Sequence, residues 1–229
     1  MPIAENYRRV KERVAEAAVK VGRDPSEITI VAVTKTHPAE TVEAVLAAGV
    51  TDVGENRVQE FLSKESGVTS SCRWHMIGHL QTNKVNKVIG KFSMIHSVDS
   101  LKLAEKLSSA GNREGVTTDI LVEVNTSGEE SKFGLEADNA LELCAGIADL
   151  PALDLRGLMT VGPWVDDTAL LSKAFVSLRR LGETIKDEGI NGISMEHLSM
   201  GMTDDFEIAI AEGSTIVRLG RVIFGARRT

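Results

Sequence analysis

Three groups of residues in this 229-residue sequence stand where a strand or turn would ordinarily use something blander. Lys35 ends the apolar run ITIVAVTK, and by period-two alternation it shares a face with Val31 and Val33. An ammonium held against apolar walls is poorly solvated, which lowers its pKa and frees the amine for Schiff-base chemistry. The competing reading is a strand-end lysine whose head reaches out to solvent. The second group is Ser199-Met200-Gly201-Met202-Thr203 together with Gly220, two glycine-bearing turns whose backbone N–H groups can cradle a phosphate. Asp204-Asp205 then opens a short helical run through Ile210, which would place the first turn at a positive helix end. Plain strand-to-helix connections favour the same residue types. Arg218 is the third, set inside the apolar strand residues Ile216, Val217 and Leu219. Buried there it needs a partner, either Glu196 or another strand carboxylate, or a ligand heteroatom.

Other candidates point away from chemistry. His75 and His79 are four apart, but they straddle a predicted strand end and no H-E-x-x-H pattern accompanies them, so no metal is expected. Lys84, Lys87 and Lys91 read as a solvated helix face. Cys72 and Cys144 are the only cysteines, which excludes a disulfide framework and a C-x-x-C zinc or thiol-exchange site. The formal charge of −7 gives no general footprint for nucleic acid. No stretch approaches the roughly 18 apolar residues of a membrane span, and the opening MPIAENYRRV has no apolar signal core. The expectation is a soluble, cytoplasmic chain that binds neither nucleic acid nor membrane.

Positioning these residues falls to a repeating pattern of strand-like and helix-like runs. An amphipathic helix opens the chain, with Ile3, Tyr7, Val10, Val14, Ala17 and Val21 at spacings of three or four, and stops at Gly22. Eight β-rich runs follow, at 28–35, 52–55, 74–78, 94–98, 119–125, 155–161, 193–200 and 216–224. Several are near-continuously apolar, as parallel strands buried on both faces require. Helical stripes lie between them: Val42, Val45 and Leu46; Leu101, Ala104 and Leu107; Ala137, Leu141, Cys144 and Ile147; and Leu171, Ala174, Leu178, Leu181 and Ile185. Gly49, Gly111, Gly189 and Gly213 fall where helix C-caps belong. Eight such repeats predict an α/β fold, a single TIM-type (β/α)8 barrel over residues 1–229. An open doubly wound sheet is the alternative, but its G-x-G-x-x-G fingerprint is absent. The last run leaves too few residues for a closing helix, so the N-terminal helix is expected to cover that face. In a barrel of this kind the C-terminal strand ends carry the chemistry, and Lys35, Ser199, Gly201, Arg218 and Gly220 all fall there.

The sequence resembles the pyridoxal phosphate homeostasis protein family, whose barrel is that of the fold-type III pyridoxal phosphate (PLP) enzymes and is related to the N-terminal domain of alanine racemase. The resemblance rests on VAVTK at 31–35, GENRVQE at 54–60, WHMIGHLQTNK at 74–84 and HSVDS at 96–100. VNTSGEESKFG at 124–134, LRGLMT at 155–160, LSMGMTDDFEIAI at 198–210 and VRLGRVIFGAR at 217–227 extend it over almost the whole chain. It implies that Lys35 forms an internal aldimine with pyridoxal 5'-phosphate, and that Ser199, Met200 and Gly201, with Gly220 and Arg221, hold the phosphate. It further implies that Arg218 approaches the pyridine nitrogen, that Asn56 and His79 line the mouth, and that Met159 packs near the ring. Arg221 departs from the small hydroxyl residue of many relatives, leaving only its backbone N–H for the phosphate.

An arginine at the pyridine nitrogen can only donate, so it favours the unprotonated ring and weakens the electron sink. A two-base racemase also needs an acid/base group opposite the lysine. In alanine racemase that group is a tyrosine from a C-terminal domain of a dimer partner. This chain's only tyrosine is Tyr7 on the first helix. The expectation is therefore a monomeric carrier that holds PLP and delivers it to PLP-dependent apo-enzymes. An amino-acid racemase of low activity is the alternative, and a PLP-free barrel using Lys35 on a sugar phosphate is the third.

Overall fold

The apolar runs become parallel strands, each placing alternate residues toward the barrel axis and toward the surrounding helices. In this computed structural model, residues 2–129 and 133–225 are described. Among the described residues nine strands form: β1 Thr29–Val33, β2 Asp52–Glu55, β3 Arg73–Met76, β4 Met94–Val98, β5 Thr118–Asn125, β6 Leu135–Glu136, β7 Leu153–Met159, β8 Ile193–Ser199 and β9 Ile216–Leu219. Eight of them pair in the order β1-β2-β3-β4-β5-β7-β8-β9, and β9 returns to β1, closing the barrel. The two-residue β6 pairs outside this ring with the end of β5.

The helices are α1 Ile3–Lys20, α2 Ala39–Ala47, α3 Val58–Lys64, α4 Leu101–Glu114, α5 Ala140–Ala148, α6 Thr168–Asp187, α7 Phe206–Ala211 and α8 Arg221–Phe224. Helix α1 buries Tyr7, Val10, Val14 and Ala18 in a cluster with Val42, Val45, Val217, Ile210 and Ile223. It thus covers the seam where β9 meets β1, as its stripe implied. Asp167 caps α6 by accepting hydrogen bonds from the N–H groups of Ala169 and Leu170.

Four local expectations are corrected. The last strand ends at Leu219, and Arg221–Phe224 form a helical turn in place of strand. Lys84 and Lys87 lie on a 3-10 helix, Thr82–Lys87, not on an α-helix. Helix α4 runs past Gly111 and is capped by Gly115 at φ +66°; a Cβ on Gly111 would lie 2.7 Å from the Val116 carbonyl, so close packing explains that glycine. Leu101, placed on the buried stripe, is exposed at the first residue of α4. Residues 130–132 of the 124–134 motif and Ala226 and Arg227 of the last motif lie outside the described residues.

The barrel interior has two chemical layers. Val31, Met94, Leu121, Met159 and Ile216 form an apolar cluster. Buried His75, His96, Ser199, Glu123 and Arg218 share the interior with it, each an even number of residues from an inward apolar neighbour or hydrogen-bonded to one that is. The opposite face of each strand feeds the larger helix-facing core.

Candidate functional site

Lys35 lies two residues beyond β1, half-buried, in a segment held from three sides. The buried Lys64 ammonium of α3 donates to the Thr34 carbonyl at 2.9 Å and to Glu55 Oε1 at 2.8 Å. The Thr34 hydroxyl donates to the same Glu55 oxygen at 2.5 Å. On the other side Thr36 adopts φ +67°, which a β-branched residue rarely does, and its N–H donates to Glu60 Oε2 at 2.9 Å. His37 N–H closes the turn onto the Thr34 carbonyl at 3.1 Å. Backbone strain of this kind persists only when the surroundings over-determine it. Here it fixes the backbone turn that follows the lysine.

The neighbouring strand carries Arg218, in register with Val31 of β1. Its side chain is buried; Nη1 donates to Ser199 Oγ at 2.7 Å and Nη2 to the Thr160 carbonyl at 2.8 Å. Burial pushes the guanidinium down to about 10, against the opposing charges of Glu123 and Asp205, so it remains a cation at neutral pH. Among the described residues it has no ion-pair partner: Glu196 sits outside, paired with Arg156 at 2.6 Å. The carboxylate facing Arg218 is Glu123, which burial pushes up to about 7 although Arg218 pulls it down and Asp99 adds to the rise. Glu123 Oε2 is buried without a hydrogen-bond partner among the described residues.

Two loops meet beside these strands. After β8, Gly201 adopts φ +95°, and a Cβ there would lie 2.6 Å from Ala209 Cβ, so only glycine fits. Its carbonyl accepts from Arg218 N–H at 3.0 Å, tying the loop to β9. The N–H groups of Gly201, Gly220 and Arg221 make no hydrogen bond among the described residues. Three free backbone donors on adjoining loops suit an anion. Ser199 and Met200, expected to hold phosphate, are already committed. The Ser199 hydroxyl bonds Arg218 and His96 inside the barrel, and Met200 N–H donates to the Ile216 carbonyl at 3.1 Å.

Met159 is fully buried in the inner apolar cluster with Val31. Asn56 is half-buried on the loop after β2; its carbonyl lies where a Cβ on Gly78 would be, 2.3 Å away, so the β2 and β3 loops press together there. His79 is at the rim, with Nδ1 3.2 Å from Asp99 Oδ2 and its ring stacked on Phe133 at 4.4 Å. It borders a cavity of about 410 Å³ with Asp99, Asn83 and Leu103. The Arg221 side chain points away to Asp204 at the surface. Lys35 follows β1 and Gly220 follows β9, two paired strands, while Arg218 on β9 is tied to Gly201 of the β8 loop; Asn56 and His79 follow β2 and β3. His75, by contrast, faces the barrel interior, so the two histidines of the i,i+4 pair do diverge. Among the described residues no group of three His, Cys, Asp or Glu side chains could hold a metal, and no helix is long and apolar enough to cross a membrane.

A barrel with a lysine at the β1 end, a buried arginine on its last strand and free N–H groups beside both defines the alanine racemase N-terminal domain class, whose family profile matches residues 2–228. Within that class, the pyridoxal phosphate homeostasis protein of Aquifex aeolicus is 39% identical over 229 residues, covering all of both chains. A protein from Bifidobacterium adolescentis superposes with a TM-score of 0.93 at 39% identity, covering 97% of this chain and 94% of that one. PipY of Synechococcus elongatus, in its structure with PLP bound, superposes with a TM-score of 0.83 at 31% identity, covering 94% and 100%. The chain belongs to the pyridoxal phosphate homeostasis protein family, within the alanine racemase N-terminal domain class.

Sequence reasoning assigned no role to Glu123, Thr160, His96 or Lys64. For the first three a signal existed, since each is a polar residue within or ending an otherwise apolar strand. For Lys64 there was none, because its value lies in meeting Glu55 across a helix–strand interface.

Proposed function

We propose that this chain binds pyridoxal 5'-phosphate, holds it covalently through Lys35, and serves intracellular PLP homeostasis by releasing it to apo-enzymes. The observation that carries this reading is the meeting of a buried cation, Arg218, with the unused N–H groups of Gly201, Gly220 and Arg221 beside the segment that carries Lys35. The donor set matches a flat heterocycle with an anionic tail. Backbone N–H groups hold the phosphate, Arg218 faces the ring nitrogen, and Met159 and Val31 supply apolar walls. The PLP-bound structure of PipY, at 31% identity, supports PLP as the ligand. When bound, the cofactor supplies an aldehyde and an electron-withdrawing ring.

Two features favour holding over turnover. A guanidinium donates and never accepts, so Arg218 leaves the ring nitrogen unprotonated. The chain's single tyrosine, Tyr7, is at the other end of the barrel, beside Asp52 and Arg73. One observation favours the alternative, an amino-acid racemase of low activity: Glu123, pushed up to about 7, has the pKa of a general acid/base at neutral pH.

Titrating the protein with PLP and following the visible absorbance tests the first reading. The wild type is expected to turn yellow and saturate at one equivalent, and Lys35→Ala to lose the band while keeping its far-ultraviolet circular dichroism. A saturable band of unchanged intensity in Lys35→Ala would remove the assignment. For the alternative, amino acids incubated with the loaded protein in heavy water would show Cα deuterium exchange far above free PLP, abolished in Glu123→Gln.

A further inference from the structure

An unbroken chain of buried hydrogen bonds crosses the barrel from its N-terminal end to Arg218. Arg218 Nη1 meets Ser199 Oγ at 2.7 Å, Ser199 Oγ meets His96 Nδ1 at 2.9 Å, and His96 Nε2 meets His75 Nδ1 at 2.9 Å. His75 Nε2 meets Asp52 Oδ1 at 2.8 Å. At the far end Asp52 also takes Arg73 through both carboxylate oxygens at 2.7 Å, and the Thr51 hydroxyl at 2.6 Å. None of the residues between Arg73 and the cofactor site is exposed.

The chain has a single direction. A guanidinium has no acceptor and an ionised carboxylate no donor. Ser199 is fully buried, its oxygen accepts from Arg218, and among the described residues His96 Nδ1 is the one atom placed to take its proton. His96 Nδ1 is therefore bare, so Nε2 carries the hydrogen and donates to His75 Nδ1. That nitrogen is bare in turn, and His75 Nε2–H donates to Asp52. Protonating His75 at both nitrogens would force His96 to donate toward Ser199 and strand the buried hydroxyl proton, which costs about 1–3 kcal/mol. Burial, with the guanidinium of Arg218, also holds His96 well below its ordinary range, against the pull of Asp52. Burial works against the Asp52 carboxylate, but bonds from His75, Arg73 and Thr51 outweigh it and keep the group ionised.

We propose that Asp52 is a remote positioning residue for the cofactor site: through His75, His96 and Ser199 it sets the proton on every link and fixes the guanidinium of Arg218. Two of the five N–H donors of Arg218 are committed to Ser199 and Thr160, and the rest stay available for a ring-nitrogen acceptor. The Ser199 side chain thus serves Arg218. This inference rests on the PLP reading for its consequence, but not for its geometry.

Histidine ring nitrogen chemical shifts, measured without added PLP, test the geometry alone. Both His75 and His96 are expected as Nε2–H tautomers with a bare Nδ1. An Nδ1–H tautomer at either ring overturns the proposal, whatever the protein binds. Asp52→Ala should release the tautomer of His75, shift the visible band of bound PLP and weaken its Kd by roughly 3- to 10-fold, the worth of about one hydrogen bond. Asp52→Asn keeps an acceptor for His75 and should restore the tautomers and most of the affinity, also covering the case in which the alanine variant does not fold. Wild-type band and affinity in a folded Asp52→Ala protein would contradict the positioning role. Absence of any PLP band in the wild type would instead count against the proposed function and leave the tautomer result standing.

Discussion

At the scale of single residues, the site depends on charges kept where water cannot reach them. Arg218 survives burial because a hydroxyl and a carbonyl take two of its donors and the charges of Glu123 and Asp205 favour it. Glu123 is the counterpart whose ionisation the fold resists. Its folded pKa of about 7 lies above the ordinary 4.5, so the folded state binds its proton more tightly than the unfolded chain does. That contribution is fully present below about 4.5 and is lost as pH rises through about 7. Glu123→Gln should therefore match the wild type in urea midpoint at about pH 4, below the unfolded value. It should become the more stable of the two by pH 8.5, with a gap on the order of 2–3 kcal/mol. A gap of the opposite sign, or one independent of pH, would show that Arg218 requires an ionised Glu123.

At the scale of elements, the lysine-bearing turn is held by a helix it never touches in sequence. Lys64 of α3 bridges the Thr34 carbonyl and Glu55, and burial raises the Glu55 carboxyl although Lys64 and Thr34 donate to it. Replacing one member of a buried pair leaves the other uncompensated, at about 3–5 kcal/mol. Lys64→Met should lower thermal stability by that order at pH 8, and by less at pH 5, where the stranded carboxyl can take a proton. A pH-independent loss would point to packing alone. This turn also marks how far the sequence could be read. The ITIVAV run announced β1, and period-two alternation put Lys35 on its inward face. Neither could reveal the left-handed Thr36 or the Lys64 support, because both arise from tertiary contacts that local pattern does not encode. The boundary of β9 was missed for a related reason: Val222, Ile223 and Phe224 are strand-forming residues, yet packing against α1 makes them a helical turn.

At the scale of the molecule, one amphipathic helix completes the barrel's cover. The stripe of α1 was legible from spacing alone, whereas its seat on the β9–β1 seam is set by tertiary packing. The structure places Val10 and Val14 there against Val42, Val217 and Ile223. Val10→Asp would bury an unpaired carboxylate at this seam and should unfold the protein or lower its melting temperature by more than 10 °C, a loss above about 4 kcal/mol. Exposed Val19 on the same helix tolerates the same change with little effect. The barrel order and the inward strand ends were readable because apolar runs and parallel pairing are properties of short segments. The polar line from Asp52 to Arg218 was not, because its members come from five different strands and meet only once the barrel closes.

The central claim is that one amine, that of Lys35, carries the cofactor. Protein loaded with PLP, reduced with borohydride, digested and mapped by mass spectrometry tests it most directly. The account predicts a single pyridoxyl phosphate adduct, at Lys35, near full occupancy. A modification spread over surface lysines such as Lys84 and Lys87, with Lys35 unmodified, would contradict it.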